Sequence, residues 1–341
     1  MTASSAARGL ILAGLSLPVL AVAAGIATWR LTPITSVGWN GSSCAALDDR
    51  GHAVGSANLG GGEFGQAAFV FNGRRARTWG IVNTRDAAQA HGISSDGTVV
   101  GKRITDPVFG FHEPVAWSGG KPRTLPPLNF LDTSGEAVAV NVAGDIVGTS
   151  ADANGYPHAV RWRGGKVKDL APSSLRSAAT AINAAGTIVG NVAGSMVRFE
   201  NDGPVPLAGL EGVLGDALAI DDAGAVVGDR VDPSDKTRHA FIWKDGRASA
   251  LEQPAGYQSS AWGMNNRGLV VGYILRRATF SAVAWQSGHM VRLDDALDPG
   301  TGAGWHVELA SDANDKGQIC ATATRADDPY SSQAVLLTPM D

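Results

Sequence analysis

Residues that build catalytic and metal sites are scarce in this sequence. Only two of its 341 residues are cysteine, Cys44 and Cys320, and its seven histidines are scattered. Two cysteines so far apart make a poor metal signature. The chain also lacks an HExxH pair, a Walker loop, a G-x-G-x-x-G opening a helix and a G-x-S-x-G elbow. The sequence therefore assigns no catalytic residue, no cofactor and no metal ligand.

Charged and aromatic residues are also few, at 18% and 6% of the chain. The net charge is −4 at pH 7 and the isoelectric point is about 6.0. A nucleic-acid-binding protein concentrates basic residues to meet the phosphates, and this chain has neither a basic excess nor a long charged run. The composition therefore predicts no nucleic-acid partner.

Glycine, by contrast, is abundant and periodic, with 44 residues. A four-residue turn ending in glycine recurs seven times, and in the first six copies another glycine follows four residues later. The turns are DDRG (48–51), SSDG (94–97), NVAG (141–144), NAAG (183–186), DDAG (221–224), NNRG (265–268) and NDKG (314–317). Their glycines are 38 to 49 residues apart, and such a period marks a repeat architecture.

Each repeat has the pattern of four short strands. In Asp216–Gly228, two apolar runs flank a turn whose Asp221 can accept a backbone hydrogen bond and whose Gly224 can take a positive φ. A third run ends in a large residue, as at Trp243, and a fourth ends at Leu251. One such sheet cannot bury both faces, but seven can stack in a ring. The predicted fold is all-β, a seven-bladed β-propeller of four-stranded antiparallel blades.

The predicted propeller spans residues 28–341 and follows an N-terminal segment, residues 1–27. The last copy stops after its third strand, and counting back from Cys44 places the missing strand at 27–35. We expect this segment to close the ring, so that no sheet edge stays open there; the alternative is a loose linker. The approximate repeats are 43–86, 87–132, 133–177, 178–215, 216–259, 260–304 and 305–341.

The N-terminal segment is apolar and has two interpretations. Gly9–Trp29 carries no charge over 21 residues, which is long enough for a membrane helix. Leu10–Leu20 followed by Ala21-Val22-Ala23 also fits a signal peptide with its cleavage site, and this pattern favours cleavage. Both interpretations predict an exported repeat domain, periplasmic or extracellular, which contacts a membrane only if the segment stays uncleaved.

The repeat pattern resembles a known family. A-x-x-I/V-N-x-x-G-x-x-V-G followed by a His-Ala-Phe-x-Trp-like strand resembles the HAF-type extracellular repeat family. The second part is clearest at His239–Trp243 and weaker at His158–Trp162, and the other copies lack the histidine. The resemblance covers residues 43 to 341. It implies an exported repeat protein and brings no catalytic residues.

The two cysteines fall in the first and last repeats, which are neighbours in a closed ring. Cys44 lies four residues before its turn and Cys320 three residues after its own, so both lie at similar height. In an oxidising compartment a disulfide is plausible. Two buried free cysteines are the alternative.

Two local patterns are incomplete versions of metal sites. Asp312–Gly317 begins like a calcium loop, but Lys316 stands where a third oxygen ligand is needed. The Asn or Asp of these turns is therefore interpreted as turn chemistry. His306-Val307-Glu308 has the H-x-E spacing of a zinc deaminase but no P-C-x-x-C follows.

The candidate ligand residues lie on one face of the predicted propeller. The glycine turns share one face, and the segments between strands two and three share the other with the connections between blades. We call this other face the long-loop face; its long segments include 56–66, 102–113, 229–238, 273–281 and 322–333. Aromatic residues and arginines gather there, as at recognition sites, although they could instead pack the loops onto the blades. The candidates are Phe64, Phe109, Phe111, Tyr156, Arg230, Tyr257, Tyr273, Arg276, Arg277, Trp305 and Tyr330.

Three functions of different classes fit this sequence. The leading one is an exported non-enzymatic protein that binds a glycan, a peptide or an envelope protein on the long-loop face. The alternative is a propeller hydrolase or lyase that acts on polysaccharide with acid and base residues on loops. A passive structural module is the third. Carboxylates or histidines converging in the central depression, one with a perturbed pKa, would favour the enzyme.

Overall fold

The computed structural model describes residues 27–36, 39–60, 65–79, 87–106, 111–174, 176–201 and 203–340. They form seven four-stranded antiparallel sheets. The first strand of each sheet also contacts the first strands of the sheets on either side, which places these strands around a central axis. The predicted seven-bladed β-propeller is therefore confirmed.

The strands of each blade run outward from the axis in chain order, and the last blade is completed by β1 (Trp29–Pro33). Blade one contains β2 (Gly41–Leu47), β3 (Ala53–Asn58), β4 (Gln66–Phe71) and β5 (Ala76–Trp79). Blade two contains β6 (Ala87–Ile93), β7 (Val99–Asp106), β8 (Phe111–Ser118) and β9 (Lys121–Thr124). Blade three contains β10 (Gly135–Val140), β11 (Ile146–Ala151), β12 (Pro157–Arg163) and β13 (Lys166–Asp169). Blade four contains β14 (Ser177–Ile182), β15 (Ile188–Val192), β16 (Ser195–Glu200) and β17 (Gly203–Pro206).

Blades five to seven follow the same plan, with short helical turns at Leu293–Ala296 and Pro299–Gly302 before the last blade. Blade five contains β18 (Gly215–Ile220), β19 (Val226–Val231), β20 (Arg238–Lys244) and β21 (Arg247–Ala250). Blade six contains β22 (Gln258–Met264), β23 (Val270–Arg276), β24 (Thr279–Gln286) and β25 (His289–Arg292). Blade seven contains β26 (Trp305–Ala313), β27 (Ile319–Arg325), β28 (Asp328–Pro339) and β1.

The ring closes through its N-terminal strand, as the sequence predicts. β1 pairs antiparallel with β28, from Trp29 opposite Pro339 to Pro33 opposite Val335. Trp29, Leu31 and Ile34 are almost fully buried. The indole of Trp29 donates a hydrogen bond to the carbonyl of Gly317 at 3.0 Å. This strand covers the edge of the last sheet that would otherwise stay unpaired.

The large residue near the end of each third strand packs between blades. Trp162, Trp243 and Trp285 are at most 9% exposed. Their indole N–H groups donate to the carbonyls of Pro126, Ala208 and Glu252, at 2.8, 3.0 and 2.7 Å. Each acceptor belongs to the connection from the preceding blade, so these tryptophans join neighbouring blades rather than offering a ligand surface.

The two repeated glycines have different causes. All seven turn glycines have positive φ, for example 86° at Gly224, which confirms the predicted hairpin turns. The second glycine instead lies opposite a bulge in the innermost strand. A Cβ at Gly228 would lie 1.8 Å from the carbonyl oxygen of Asp216. In blade seven Ala321 takes this position, and β26 there has an additional register shift that changes the local backbone.

The joint between blades seven and one is covalent. A disulfide joins Cys44 and Cys320, whose Cα atoms are 5.6 Å apart. Of the two alternatives for these cysteines, the structure therefore has the bonded one. The backbone N–H of Cys44 also donates to Thr322 Oγ1 at 3.2 Å.

Most of the predicted signal peptide or membrane anchor, residues 1–27, lies outside the described residues, which begin at residue 27. Cleavage and membrane anchoring of this segment stay predictions. Among the described residues no helix is long and apolar enough to cross a membrane.

Candidate functional site: the groove between blades five and six

The seven glycine turns surround one mouth of the central channel, a cavity of about 230 Å³ lined by their first residues. The amides in these turns bind the next blade: Asn183 Nδ2 donates to the carbonyl of Asp221 at 3.0 Å, and Asn314 Nδ2 to that of Asp48 at 2.9 Å. The backbone of Asp315 likewise donates to Asp49 Oδ1 at 2.9 Å. Among the described residues no three acidic, histidine or cysteine side chains are placed to hold a metal ion. The polar turn residues therefore form hydrogen bonds that connect neighbouring blades around the channel mouth.

One carboxylate at this mouth, Asp312, has unusual electrostatics. Asp312 accepts hydrogen bonds from the backbone N–H of Leu47 at 3.0 Å and from that of Ala313 at 2.9 Å. Burial raises its pKa to about 7 despite these bonds, and the charge of Asp49 adds to the effect. Both oxygens of the carboxylate therefore hold backbone amides at the joint between blades seven and one.

The middle of the channel is mainly apolar. The extra bulge residues of the innermost strands in blades one and three to six, with Ser311 of blade seven, line a cavity of about 440 Å³. Ala45, Val138, Thr180, Leu218, Trp262 and Ser311 contribute to it. The described lining residues include no carboxylate, so this cavity has no acid–base pair of its own.

The H-x-E pattern at 306–308 is structural in this molecule. His306 Nδ1 lies 2.7 Å from Asp294 Oδ2, and its Nε2 lies 3.0 Å from the carbonyl oxygen of Phe280. Asp294 also accepts a hydrogen bond from the backbone N–H of Val307 at 2.8 Å. Both ring nitrogens therefore have partners, and His306 joins blades six and seven.

The long-loop face is less extended than the sequence predicts. Blades four, six and seven have only two residues between strands two and three, because the strands continue further than expected. In blade six these residues are Arg277 and Ala278, with φ of 48° and 65°, the two positive values of a type I′ hairpin turn. The prediction of long loops at 273–281 and 322–333 is therefore wrong. Tyr273 and Tyr330 lie in strands β23 and β28 rather than in loops.

The predicted ligand residues are spread around this face. Phe64 and Phe109 lie outside the described residues. Phe111 is half exposed at the start of β8, Tyr330 is 98% exposed, and Arg230 lies in β19 opposite Gly215 and His239. Arginines stack on two of the predicted aromatic rings: Arg176 lies 5.4 Å from Tyr156 and Arg325 lies 5.5 Å from Trp305.

Three of the predicted residues, Tyr257, Arg276 and Arg277, line a single groove of about 620 Å³ between blades five and six. Its walls are the 232–237 loop and start of β20, the connection 251–257, and the tip of the β23–β24 hairpin. The Arg276 guanidinium lies 5.3 Å from the centre of the Tyr257 ring. Arg276 and Arg277 are exposed, and within the described residues neither forms an ion pair. This volume suits a small ligand or one segment of a larger one.

A polar network holds the opposite wall of the groove. His239 Nε2 lies 2.8 Å from Thr237 Oγ1 and 3.3 Å from Asp235 Oδ2. Gln253 Nε2 donates to the carbonyl of Tyr257 at 2.8 Å and lies 3.3 Å from His239 Nδ1. The hydrogen bond from the Thr237 hydroxyl lowers the pKa of Asp235, which keeps this carboxylate charged. The network positions Tyr257 beneath Arg276.

The two carboxylates on the inner side of this seam share one arginine as their ion-pair partner. Arg238 binds both Asp216, at 2.5 Å, and Asp229. Burial raises the pKa of Asp229, although the hydroxyl of Ser260, at 2.6 Å, and Arg238 oppose the shift. Tyr273, which the sequence assigned to the ligand face, instead packs edge-on against Trp262 and Phe280 at 5.4 and 5.1 Å. Sequence reasoning missed Arg238, and it missed Trp262 because no residue type in the sequence marks the bulge that places Trp262 in the channel.

Comparison with known proteins shows the fold. No protein-family model and no curated protein matches the chain, so membership of the HAF-type family stays a prediction. A puromycin-hydrolyzing peptidase from Mycobacterium tuberculosis is similar over 92% of this chain and 56% of its own, with a TM-score of 0.59 and 12% identity. This chain thus spans little more than half of the peptidase. At such low identity the likeness shows the β-propeller and no activity.

Two further solved structures are also similar over 92% of this chain. They are a protein of unknown function from Dyadobacter fermentans, with a TM-score of 0.45 and 11% identity over 99% of its chain, and a triple arginine-to-alanine mutant of AofleA from Arthrobotrys oligospora, with a TM-score of 0.43 and 11% identity over 91%.

Proposed function

We propose that this protein is an exported, non-enzymatic β-propeller that binds an acidic ligand in the groove between blades five and six. The ligand is a glycan or peptide that carries carboxylate, sulfate or phosphate groups. One observation carries the proposal: Arg276 stacks on Tyr257 beside Arg277, and within the described residues neither guanidinium has an acidic partner.

The chemistry of the groove suits oxyanion recognition. A guanidinium presents a planar fork of donors that matches a carboxylate or sulfate bidentately. Stacking on Tyr257 pre-orients the fork of Arg276, and the Tyr257 ring adds a flat apolar surface. The equivalent arginine of blade seven, Arg325, already binds Asp327 at 2.7 Å. Arg276 has no such acid in its hairpin, where Ala278 stands in the corresponding position.

Two observations favour the enzymatic alternative. Burial lowers the pKa of His91, which lies near Glu136 and Lys102, an ion pair at 3.0 Å. Carboxylates gather at the mouth lined by the glycine turns, and one of them, Asp312, has a pKa raised by burial to about 7. Asp312 accepts from two backbone amides, however, and Asp216 and Asp229 are both bound by Arg238. Because these carboxylates already have structural partners, we favour binding over catalysis.

Export rests on the N-terminal pattern and is supported by the disulfide, since disulfides persist in oxidising compartments. The HAF-type resemblance agrees with it. The periplasm and the cell exterior both fit.

An array that compares acidic with neutral ligands tests the proposal. The purified chain is screened against uronate-containing, sulfated and neutral oligosaccharides and against acidic and neutral peptides. We expect binding to acidic members only. The variant Arg276→Gln with Arg277→Asn, which keeps a residue that tolerates positive φ, should weaken it about tenfold or more, the value of one or two charged hydrogen bonds.

Two matched variants serve as controls. Arg325→Gln removes the paired arginine of blade seven, and Arg267→Gln removes an exposed arginine in a glycine turn. Neither should change affinity by more than about twofold. Equal weakening by the controls, or binding that ignores ligand charge, would show that the groove is not the site; breakdown of an arrayed glycan would favour the enzyme.

A further inference from the structure

Two cations of blade three lie side by side in the seam between blades three and four, and neither forms an ion pair within the described residues. Arg161 in β12 and Lys168 in β13 are direct cross-strand partners. Like charges at directly opposite positions of an antiparallel pair destabilise it. Two acids of this blade bind elsewhere, Asp145 to Arg163 and Asp169 to His158.

One donor of the Arg161 guanidinium also lacks an acceptor among the described residues. Its Nε atom is buried and has no hydrogen-bond partner among the described residues. Native proteins pair nearly all buried donors, and leaving a donor of a charged group unpaired is especially costly. The arrangement therefore does not stabilise the blade in the absence of a ligand.

The other blades show that the fold does not require it. The corresponding cross-strand pairs contain one cation at most. They are Val70 with Arg77, Ala116 with Arg123, Arg198 with Val205, Ile242 with Ser249, Ala284 with Val291, and Leu336 with Thr32. The double cation is therefore a feature of blade three and not of blade packing.

Both cations line a cavity of about 430 Å³ that opens to solvent beside the glycine turn of blade four. Leu170, Ile188 and Phe199 form a buried apolar floor, each at most 7% exposed. Thr187 contributes the rim on the side of blade four, where Arg198 and Glu200, which pair with each other at 2.5 Å, also line the cavity. Charges beside an apolar floor attract a counter-ion more strongly than they would in bulk water.

We propose that this cavity binds an oxyanion, either inorganic phosphate or sulfate or the same group on a small organic ester. The anion accepts from Arg161 and Lys168, supplies the acceptor that Arg161 Nε lacks, and separates the two like charges. The site lies at the glycine-turn end of its seam, outside the groove between blades five and six, and does not depend on the function proposed for that groove.

Isothermal titration calorimetry of the whole chain tests this site, with sodium phosphate, sodium sulfate and glycerol phosphate as separate titrants at constant ionic strength. We expect saturable binding of one anion per chain, with Arg161→Met and Lys168→Met each weakening it about tenfold or more. Tighter binding of glycerol phosphate than of phosphate would identify an ester as the ligand, and the reverse order the free anion.

Two controls keep the test specific. Arg123→Met removes the cation at the position of Lys168 in blade two and should leave the affinity unchanged. Without anion, Arg161→Met should melt no lower than the original chain, since it removes an unpaired donor and a like-charge contact. No saturable binding of any titrant, or equal weakening by Arg123→Met, overturns the proposal, and so does a marked loss of stability of anion-free Arg161→Met.

Discussion

In blade five, replacing either Gly224 or Gly228 with alanine should destabilise the fold, but for different physical reasons. Gly224 closes the turn of blade five with φ of 86°, and a Cβ there would meet nothing within 4 Å. Replacing it with alanine should therefore lower the free energy of unfolding only by the energy needed to hold an L-residue at positive φ, about 1–2 kcal/mol. At Gly228 a Cβ would lie 1.8 Å from the Asp216 carbonyl oxygen and 2.9 Å from its carbon. Because backbone atoms must move, Gly228→Ala should cost about 3 kcal/mol or more.

Asparagine distinguishes the two causes, since it tolerates positive φ better than alanine but is larger. Gly224→Asn should therefore restore part of the stability lost in Gly224→Ala, whereas Gly228→Asn should be at least as damaging as Gly228→Ala. Urea unfolding with the disulfide intact gives the four free energies. If Gly228→Ala is as mild as Gly224→Ala, or if asparagine rescues both positions, the close approach at the bulge is not the reason for the second glycine.

Two further predictions concern the joint between blades seven and one. Deleting residues 24–40 should lower the free energy of unfolding by about 4 kcal/mol or more. The deletion exposes the surface that Trp29, Leu31 and Ile34 cover and leaves a sheet edge unpaired. An unchanged melting temperature would contradict ring closure by β1. The raised pKa of Asp312 means that the folded chain holds its proton more tightly than the unfolded chain does, so the free energy of unfolding should fall as pH rises from about 4 to about 7. In urea unfolding at a series of pH values, Asp312→Asn should show a flatter slope. An equal slope in the variant would refute this role of Asp312.

Blade number and ring closure are readable from the sequence because both follow from local chemistry. Each Asx-x-x-Gly turn fixes one hairpin, so counting turns counts blades. The missing last strand at 27–35 follows from the same alignment. What the alignment cannot give is the bulge in each innermost strand, since a bulge adds no residue type of its own. It is the bulge that explains Gly228 and that turns Trp262 towards the channel.

The candidate groove was predictable only in part. The enrichment of arginine and aromatic residues identified Tyr257, Arg276 and Arg277, because exposed side chains of these types are uncommon enough to notice. Their meeting depends on the two-residue turn at Arg277, which brings the hairpin tip against the preceding connection. Neither glycine nor asparagine marks that turn, so the sequence suggested a long loop instead. Tyr273 shows the opposite error. It is of a residue type that is common at recognition sites, but its ring packs against Trp262 and Phe280.

Hydrogen–deuterium exchange with the tightest acidic ligand from the array tests the central claim, that the groove between blades five and six is the binding site. The account predicts slower exchange in 251–258 and 274–280, which form the connection and the hairpin of the groove. It predicts no change in the glycine turns at 48–51 and 221–224 on the opposite face. Protection confined to those turns, or to the channel mouth around Asp312, would contradict the account.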